Sequence, residues 1–348
     1  MHVNPGFVST CLLLLVSLLA TACVQPAHEP LRAKPPAAEP LVWPPPPQSP
    51  RIRLINTVAS PADLGIKPSL RKRLNRLVSG QRDTWFIRPG GIAVQHGIIY
   101  VADPGAQGLW LLNPRAGAFK RVRTADDDGL VSPVAVAIGP DQRVYLADSY
   151  LAKIFVYSAE GERVATIEHD ALQRPTGVAF DPTADRLYVA DSAAHRIWLF
   201  TGDGQSVGAI GRRGAGKGEF NFPTHVAVDE DGTLYVTDAL GFRIQMFTNE
   251  GHFLDSFGHH GNASGDLAAP KGVAVDSEGH VYVVDALFDT VQIFDKRGRL
   301  LLNFGERGIA AGQFWLPGGV FIDKDDRIYV ADAYNQRIQI FEYLGRRE

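Results

Sequence analysis

One tetrapeptide recurs along this chain and constrains its fold more than any other feature. Tyr-(Val/Leu)-x-Asp appears at Tyr100-Val101-Ala102-Asp103 and again ending at Asp148, Asp191, Asp238, Asp285 and Asp332, with spacings of 45, 43, 47, 47 and 47 residues. Upstream of each copy stands a proline (Pro89, Pro133, Pro175, Pro223, Pro270, Pro317) opening a short apolar run such as GVAVD, and downstream lies another run such as RIQIF. Each unit reads as four short strands separated by an acidic turn, an Asp loop and a Gly turn. Turns such as DEDG and DSEG between alternating runs are hairpin signals. A period of 43–47 residues with four strands per unit is the signature of propeller blades. The expectation is an all-β, six-bladed β-propeller of four-stranded antiparallel blades over 88–348.

The outermost strand appears only five times, as FKRVRT, RVATIE, SVGAIG, FLDSFG and LLLNFG. Residues 51–58, RIRLINTV, supply the missing one, so an N-terminal strand closes the last blade and protects both terminal edges. Composition agrees: 35 Gly and 23 Pro punctuate a turn-rich chain, and 45% hydrophobic residues exclude a mostly disordered one. Thirty-five Lys and Arg against 38 Asp and Glu argue against a general nucleic-acid binder. Two Cys cannot make a disulfide scaffold or a four-thiolate metal site.

Residues 1–22 contain no Asp, Glu, Lys or Arg, and an apolar run from Leu12 ends in Leu18-Leu19-Ala20-Thr21-Ala22-Cys23, as a signal peptide does. A Cys directly after small residues resembles the bacterial lipobox, which makes Cys23 the lipidated N-terminus; Ala20 stands where Leu is usual. Val24, in place of the Asp associated with inner-membrane retention, points to an exported, outer-membrane-anchored lipoprotein facing the periplasm or the cell surface. Cys11 falls within the cleaved segment, and no C-x-x-C-H exists for covalent haem. Residues 23–50 carry ten Pro and read as a spacer, able to extend roughly 80 Å as polyproline. Within 51–87, the stretch IKPSLRKRLNRLVSGQRD follows the closing strand. It places Leu70, Leu74, Leu77 and Val78 on one face of a short helix, with Lys67, Arg71, Lys72, Arg73 and Arg76 giving it a basic character. Docking against the propeller accounts for that stripe; a membrane-surface or anionic-partner role is the alternative.

The pattern P-x-G-[VI]-A-[VF]-D followed by [IVL]-Y-V-[AVT]-D-x-x-x-x-R-[IV]-x-x-F resembles the NHL repeat over roughly residues 88–341. Blade one departs from it, since Asp103-Pro104 leads to Gly108-Leu109 without a basic partner. With the stalk and closing strand, the whole resembles bacterial NHL-repeat lipoproteins, which implies a place alongside redox or cytochrome complexes. The lyase domain of the peptide-amidating enzyme is a related propeller whose metal-bound His directly follows Pro. Here those positions hold Gly90, Val134, Thr176, Thr224, Lys271 and Gly318, so a three-His site is not supported.

Asp148/Lys153, Asp191/Arg196, Asp238/Arg243 and Asp332/Arg337 recur at one offset, so each pair spans one hairpin, where Asp satisfies loop N–H groups. They read as structural repeat pairs. GRRGAGKG at 211–218 mimics a phosphate loop but runs into a strand, whereas a phosphate site needs helix N-terminal amides. The acidic turns lack a calcium loop's length, and nucleophile motifs are absent. His225 occupies a position held by Gly91, Ala135, Gly177, Gly272 and Gly319 in the other blades, near the central channel. It either fills space there or binds a ligand weakly.

The Asp loops and blade connectors gather Tyr150, Phe242, Phe288, Tyr334, Phe220, Phe222 and Trp315 on one face, beside Arg212, Arg213, Lys217, His259, His260 and Arg307. Aromatics with cations are the composition of interaction surfaces, although some of these rings plug gaps between blades. The reading is a membrane-tethered, non-catalytic scaffold that binds a protein or glycan partner in the envelope through this face. No catalytic residue, metal ligand, cofactor or nucleic-acid partner is assigned. The alternative is a channel-centred propeller enzyme of the lyase or lactonase type.

Overall fold

The computed structural model describes residues 40–67, 85–123 and 129–345. The signal peptide, Cys23 and most of the basic helical segment lie outside the described residues.

Six sheets form six blades. Blade one comprises Ile92–Gln95, Ile98–Asp103, Gly108–Asn113 and Ala118–Val122, paired antiparallel in chain order. Blades two to five repeat this meander, their innermost strands starting at Pro133, Pro175, Pro223 and Pro270. Proline suits a strand's first residue, where no ladder donor is needed. Blade six is built from both ends of the chain. Val320–Ile322, Arg327–Asp332 and Arg337–Tyr343 are followed outward by Ile52–Val58, with Leu54 opposite Phe341 and Val58 opposite Ile338. The closure expected from the missing outer strand is therefore present.

A fifth strand, Val42–Trp43, pairs with Ile52 and Arg53 on the outside of that sheet. The Trp43 ring packs 5.9 Å from Phe304 and 5.8 Å from Phe341. From Pro40 onward, the segment expected as spacer to residue 50 thus belongs to the propeller body. Its apolar pair covers an open edge, and the prolines at 44–47 end the pairing because they carry no N–H.

The core is six clusters, one between each pair of neighbouring blades. The sixth joins Tyr329, Ile338 and Ile340 of the last blade to Ile99, Val101 and Trp110 of the first, together with Val58, Ile66 and Phe86. Apolar contact is therefore continuous around the ring.

The motif tyrosines tie down the opposite ends of the strands in two ways. Tyr100, Tyr145 and Tyr188 donate to Ala159, Gly202 and Asn249 carbonyls of the next blade, at 3.1, 2.7 and 2.9 Å. Tyr235, Tyr282 and Tyr329 instead donate to Asp229, Asp276 and Asp323 in their own acidic turns, at 3.0, 3.1 and 2.9 Å. Burial raises these phenols, Tyr100 and Tyr188 to about 12.

Near the axis the blades meet backbone to backbone. Gly91 N–H donates to Val134 and Gly272 N–H to Gly318, at 2.9 and 3.0 Å. A Cβ on Gly91 would stand 2.6 Å from the Ala135 Cα, and one on Gly319 2.4 Å from the Gly90 carbonyl oxygen. Only glycine permits that approach.

Candidate functional site

Each blade's second strand ends on its Asp, and all six of these Asp residues are fully buried. Their carboxylates accept N–H groups from the segment entering the blade. Val131 and Ser132 donate to Asp148 at 2.8 and 2.9 Å, Gln173 and Arg174 to Asp191 at 2.8 and 2.9 Å, and Trp315 to Asp332 at 2.8 Å. The loop after the Asp adds more: Ala106 donates to Asp103 at 3.0 Å, and Tyr150 and Leu151 to Asp148 at 3.1 Å. These carboxylates face structural amides and are spent as loop clamps.

Ladder register places Asp opposite the basic residue in four blades: Asp148 with Lys153, Asp191 with Arg196, Asp238 with Arg243 and Asp332 with Arg337. Arg243 Nε lies 2.9 Å from Asp238 and Arg337 Nε 2.6 Å from Asp332. Both guanidinium groups also reach connector carbonyls, Arg243 at Gly216 and Glu219, Arg337 at Ile309, Ala310 and Gln313. Lys153 reaches Glu168 at 2.8 Å. Arg196 lies over the Trp198 ring, and the Trp198 indole donates to Asp191 at 3.2 Å in its stead. Burial raises the Asp238 carboxyl against the opposing effect of the Asn221 N–H and Arg243.

Two repeated devices escaped the sequence reading. Gln245, Gln292 and Gln339 are buried on the third strands of blades four to six, where blades one to three carry Trp110, Phe155 and Trp198. Each Gln accepts from a connector glycine (Gly218, Gly265, Gly312) and donates to the next carbonyl (Glu219, Asp266, Gln313). Their signal was the recurring Gln in R-I-Q-x-F and T-V-Q-x-F, a polar residue at a core position. The second device is backbone: four residues past each Asp, Gln107, Ala152, His195, Phe242, Asp289 and Gln336 all take φ of 48–55°. None is glycine, so composition gave no sign of it.

Those same contacts settle the GRRGAGKG segment as a connector. Arg213 bridges Phe220, and His260 and Arg307 bridge Leu267 and Phe314 at the equivalent sites. Phe220, Leu267 and Phe314 are fully buried plugs between blades.

On the axis lies the mouth of the channel, a hollow of about 390 Å³ whose lining includes Arg88, Lys271, Thr176, Thr224, His225 and Tyr334, with no Asp or Glu among the described residues. Beneath it the channel encloses about 190 Å³ among Gly, Ala and Val of the innermost strands. His225 lines both spaces, which places it at their junction. Its Nδ1 lies 3.1 Å from the Thr224 hydroxyl. Burial, then the Lys271 charge, lowers its pKa to about 3, so the imidazole is neutral at ordinary pH. No group of three His, Cys, Asp or Glu among the described residues is placed to hold a metal ion.

Around the mouth stands an apolar rim. Tyr150, Leu240, Leu287 and Tyr334 occupy one loop position, two residues past the buried Asp, and are 50–75% exposed. Trp315 packs 5.7 Å from Tyr334. Phe242 is half-buried 4.4 Å from His260, and Phe288 is half-buried. Among the cations, Arg212 pairs with Glu219 at 2.8 Å, His259 with Asp266 at 2.7 Å and Arg307 with Asp289 at 3.9 Å. Lys217 lies over the Phe253 ring, and Arg213 is exposed. Leu240 and Leu287 were missed because the sequence reading favoured aromatic residues over leucine.

A family model described as a 6-bladed beta-propeller matches residues 172–259, and the NHL repeat model matches 314–341. No curated protein matches the sequence. Among solved structures, a streptogramin B lyase is similar at TM-score 0.56 and 15% identity, covering 74% of this chain and 94% of its own. Virginiamycin B lyase from Staphylococcus aureus is similar at 0.55 and 15%, covering 74% and 96%. An auxiliary nutrient binding protein from Bacteroides thetaiotaomicron is similar at 0.59 and 13%, covering 75% and 70%. At these identities the likeness is one of fold.

Proposed function

We propose that this propeller is a non-catalytic binding protein of the cell envelope, held to the membrane through Cys23, which recognises a protein or glycan partner with its Asp-loop face. The observation that carries the reading is the rim of Tyr150, Leu240, Leu287 and Tyr334. Single exposed apolar side chains are ordinary on any surface. Four at equivalent loop positions around one mouth, beside Trp315 and a set of cations, match the composition of interface hot spots. The nutrient binding protein of the same fold is consistent with a binding role.

The likeness to lyases raises the channel-centred enzyme as a second reading. The mouth offers His225, held neutral by burial, with Lys271 and Tyr334 in the same lining and no carboxylate among the described residues. The exposed rim, for which a reaction confined to the channel has no use, favours binding.

The test is recovery of an envelope partner by mild crosslinking and co-purification. Tyr150→Asp with Leu287→Asp should abolish recovery, while Glu230→Lys, in a turn at the opposite end of the strands, should leave it intact. Loss with Glu230→Lys and retention with the rim double variant would overturn the reading.

A further inference from the structure

We propose that a second binding site lies on the flank of the propeller, a cavity at the seam of blades five and six that takes a free α-amino acid with an aliphatic side chain. It sits toward the acidic-turn end of the strands and is independent of the Asp-loop face.

The cavity follows from how the ring closes. In blade five a tight turn joins the strands Thr290–Phe294 and Leu300–Phe304, with Gly298 N–H donating to the Asp295 carbonyl at 2.9 Å. Blade six has no such turn, because its two outer strands come from opposite ends of the chain, and Ile52 stands opposite Tyr343. Tyr343 and Arg51 run on along the seam and wall a space of about 310 Å³ against blade five. Glu278 and His280, from the acidic turn of blade five, supply its other polar groups. Ile293, Leu301 and Leu302 give it an apolar wall. That volume falls at the small end of ligand sites, roughly 300–1,000 Å³.

Comparison with the preceding seam selects the ligand. There Lys296 holds the position equivalent to Tyr343 and pairs with Asp229 and Asp231, at 3.6 and 3.2 Å. Asp231 is the counterpart of Glu278. At this seam a neutral phenol takes the place of the lysine and donates to Glu278 at 3.1 Å, so the carboxylate has no cationic partner among the described residues. His280 adds an acceptor. Its Nδ1 lies 2.9 Å from the buried Asp276 carboxylate, so Nδ1 carries the proton and the neutral ring keeps a lone pair on Nε2. Nε2 makes no hydrogen bond among the described residues. Blades four and six hold Thr233 and Arg327 at that position, so the turn itself does not require an imidazole. A carboxylate and a free imidazole nitrogen together fit an ammonium group.

Arg51 supplies the opposite charge. Its side chain makes one hydrogen bond among the described residues, from Nη1 to the Gly345 carbonyl at 3.0 Å. Gly345 borders Glu278 as well, since a Cβ there would stand 3.9 Å from Glu278 Oε1. The two charges thus flank one residue without pairing with each other. An α-amino acid spans them, its ammonium on Glu278 and its carboxylate on the guanidinium, with the side chain against Ile293, Leu301 and Leu302. A simple amine would leave Arg51 unmatched, and a simple acid would leave Glu278 so.

The experiment is isothermal titration calorimetry of the purified chain with leucine, with isocaproate, which lacks the amine, and with isoamylamine, which lacks the carboxylate. Leucine should bind at one site per chain, with either analogue weaker by about tenfold or more. Glu278→Gln and Arg51→Gln should each weaken leucine by about tenfold or more, with an unchanged thermal midpoint. Tyr343→Lys, which installs the cation that blade five carries as Lys296, should pair with Glu278 and abolish leucine binding. Either analogue binding as tightly as leucine, unaltered leucine binding by Glu278→Gln or Arg51→Gln, or no leucine binding in the millimolar range would overturn the proposal. The rim variant Tyr150→Asp with Leu287→Asp should bind leucine as the parent does, so the flank site and the Asp-loop face stand or fall separately.

Discussion

Arg337 Nε lies 2.6 Å from Asp332 Oδ2, with the Asp332 side chain wholly buried and the Arg337 side chain only 10% exposed. The same carboxylate accepts the Trp315 N–H and the Asn335 amide, while Arg337 binds three carbonyls of the connector between blades five and six. One ion pair thus fastens the loop, the connector and the hairpin to each other.

Removing the acid while leaving the base should be severe. Asp332→Ala strands a buried guanidinium and several N–H groups, and should cost about 3–5 kcal/mol. Denaturant unfolding of the variant checks this; a loss below about 1 kcal/mol would show that the pair is not a structural clamp.

Adjacent glycines should behave oppositely. A Cβ on Gly319 meets the Gly90 oxygen at 2.4 Å, whereas one on Gly318 finds nothing nearer than 4.0 Å. Gly319→Ala should lower stability by about 1–3 kcal/mol, and Gly318→Ala by far less. Thermal midpoints of the two variants decide it.

The left-handed residue of the Asp loop offers a stabilising change. Ala152 holds φ of 54° without being glycine. A side chain in that region costs roughly 1–2 kcal/mol, so Ala152→Gly should raise stability by about 0.5–1 kcal/mol after the extra freedom of the unfolded chain is counted. The reverse sign in denaturant titration would contradict the loop geometry.

His225 carries a pH signature. Its folded pKa of about 3 lies below the ordinary 6.5, so the unfolded chain binds the extra proton between those values. Stability attributable to this residue is intact above pH 6.5 and falls as pH drops toward 3. His225→Gln should therefore gain on the parent protein by on the order of 1–3 kcal/mol between pH 7 and 4, allowing for channel water. Parallel unfolding curves at pH 7, 5.5 and 4 measure the difference.

The repeat made the architecture legible because Tyr-x-x-Asp marks a strand end that every blade must have. Residues 51–58 were assignable because blade six otherwise lacks its outer strand. Trp43 was hidden by the prolines around it: composition there signals a spacer, and only tertiary contact with Phe304 and Phe341 turns two residues into a strand. At the site, His225 stood out by departing from its equivalents, and the Asp loops by recurrence. Lys271 did not, since nothing in one blade's sequence states which side chains line an axis shared by six. Arg196 likewise occupies its expected register, yet the neighbouring Trp198 takes both its charge and its place on Asp191.

The central claim is that the Asp-loop face meets the partner. Its most direct test is a photo-crosslinking amino acid placed at Tyr150, at Tyr334 and, on the opposite face, at Glu230, in cells expressing the full chain. The account predicts one discrete crosslinked adduct from Tyr150 and Tyr334 and none from Glu230. An adduct from Glu230 with none from either tyrosine site would contradict it.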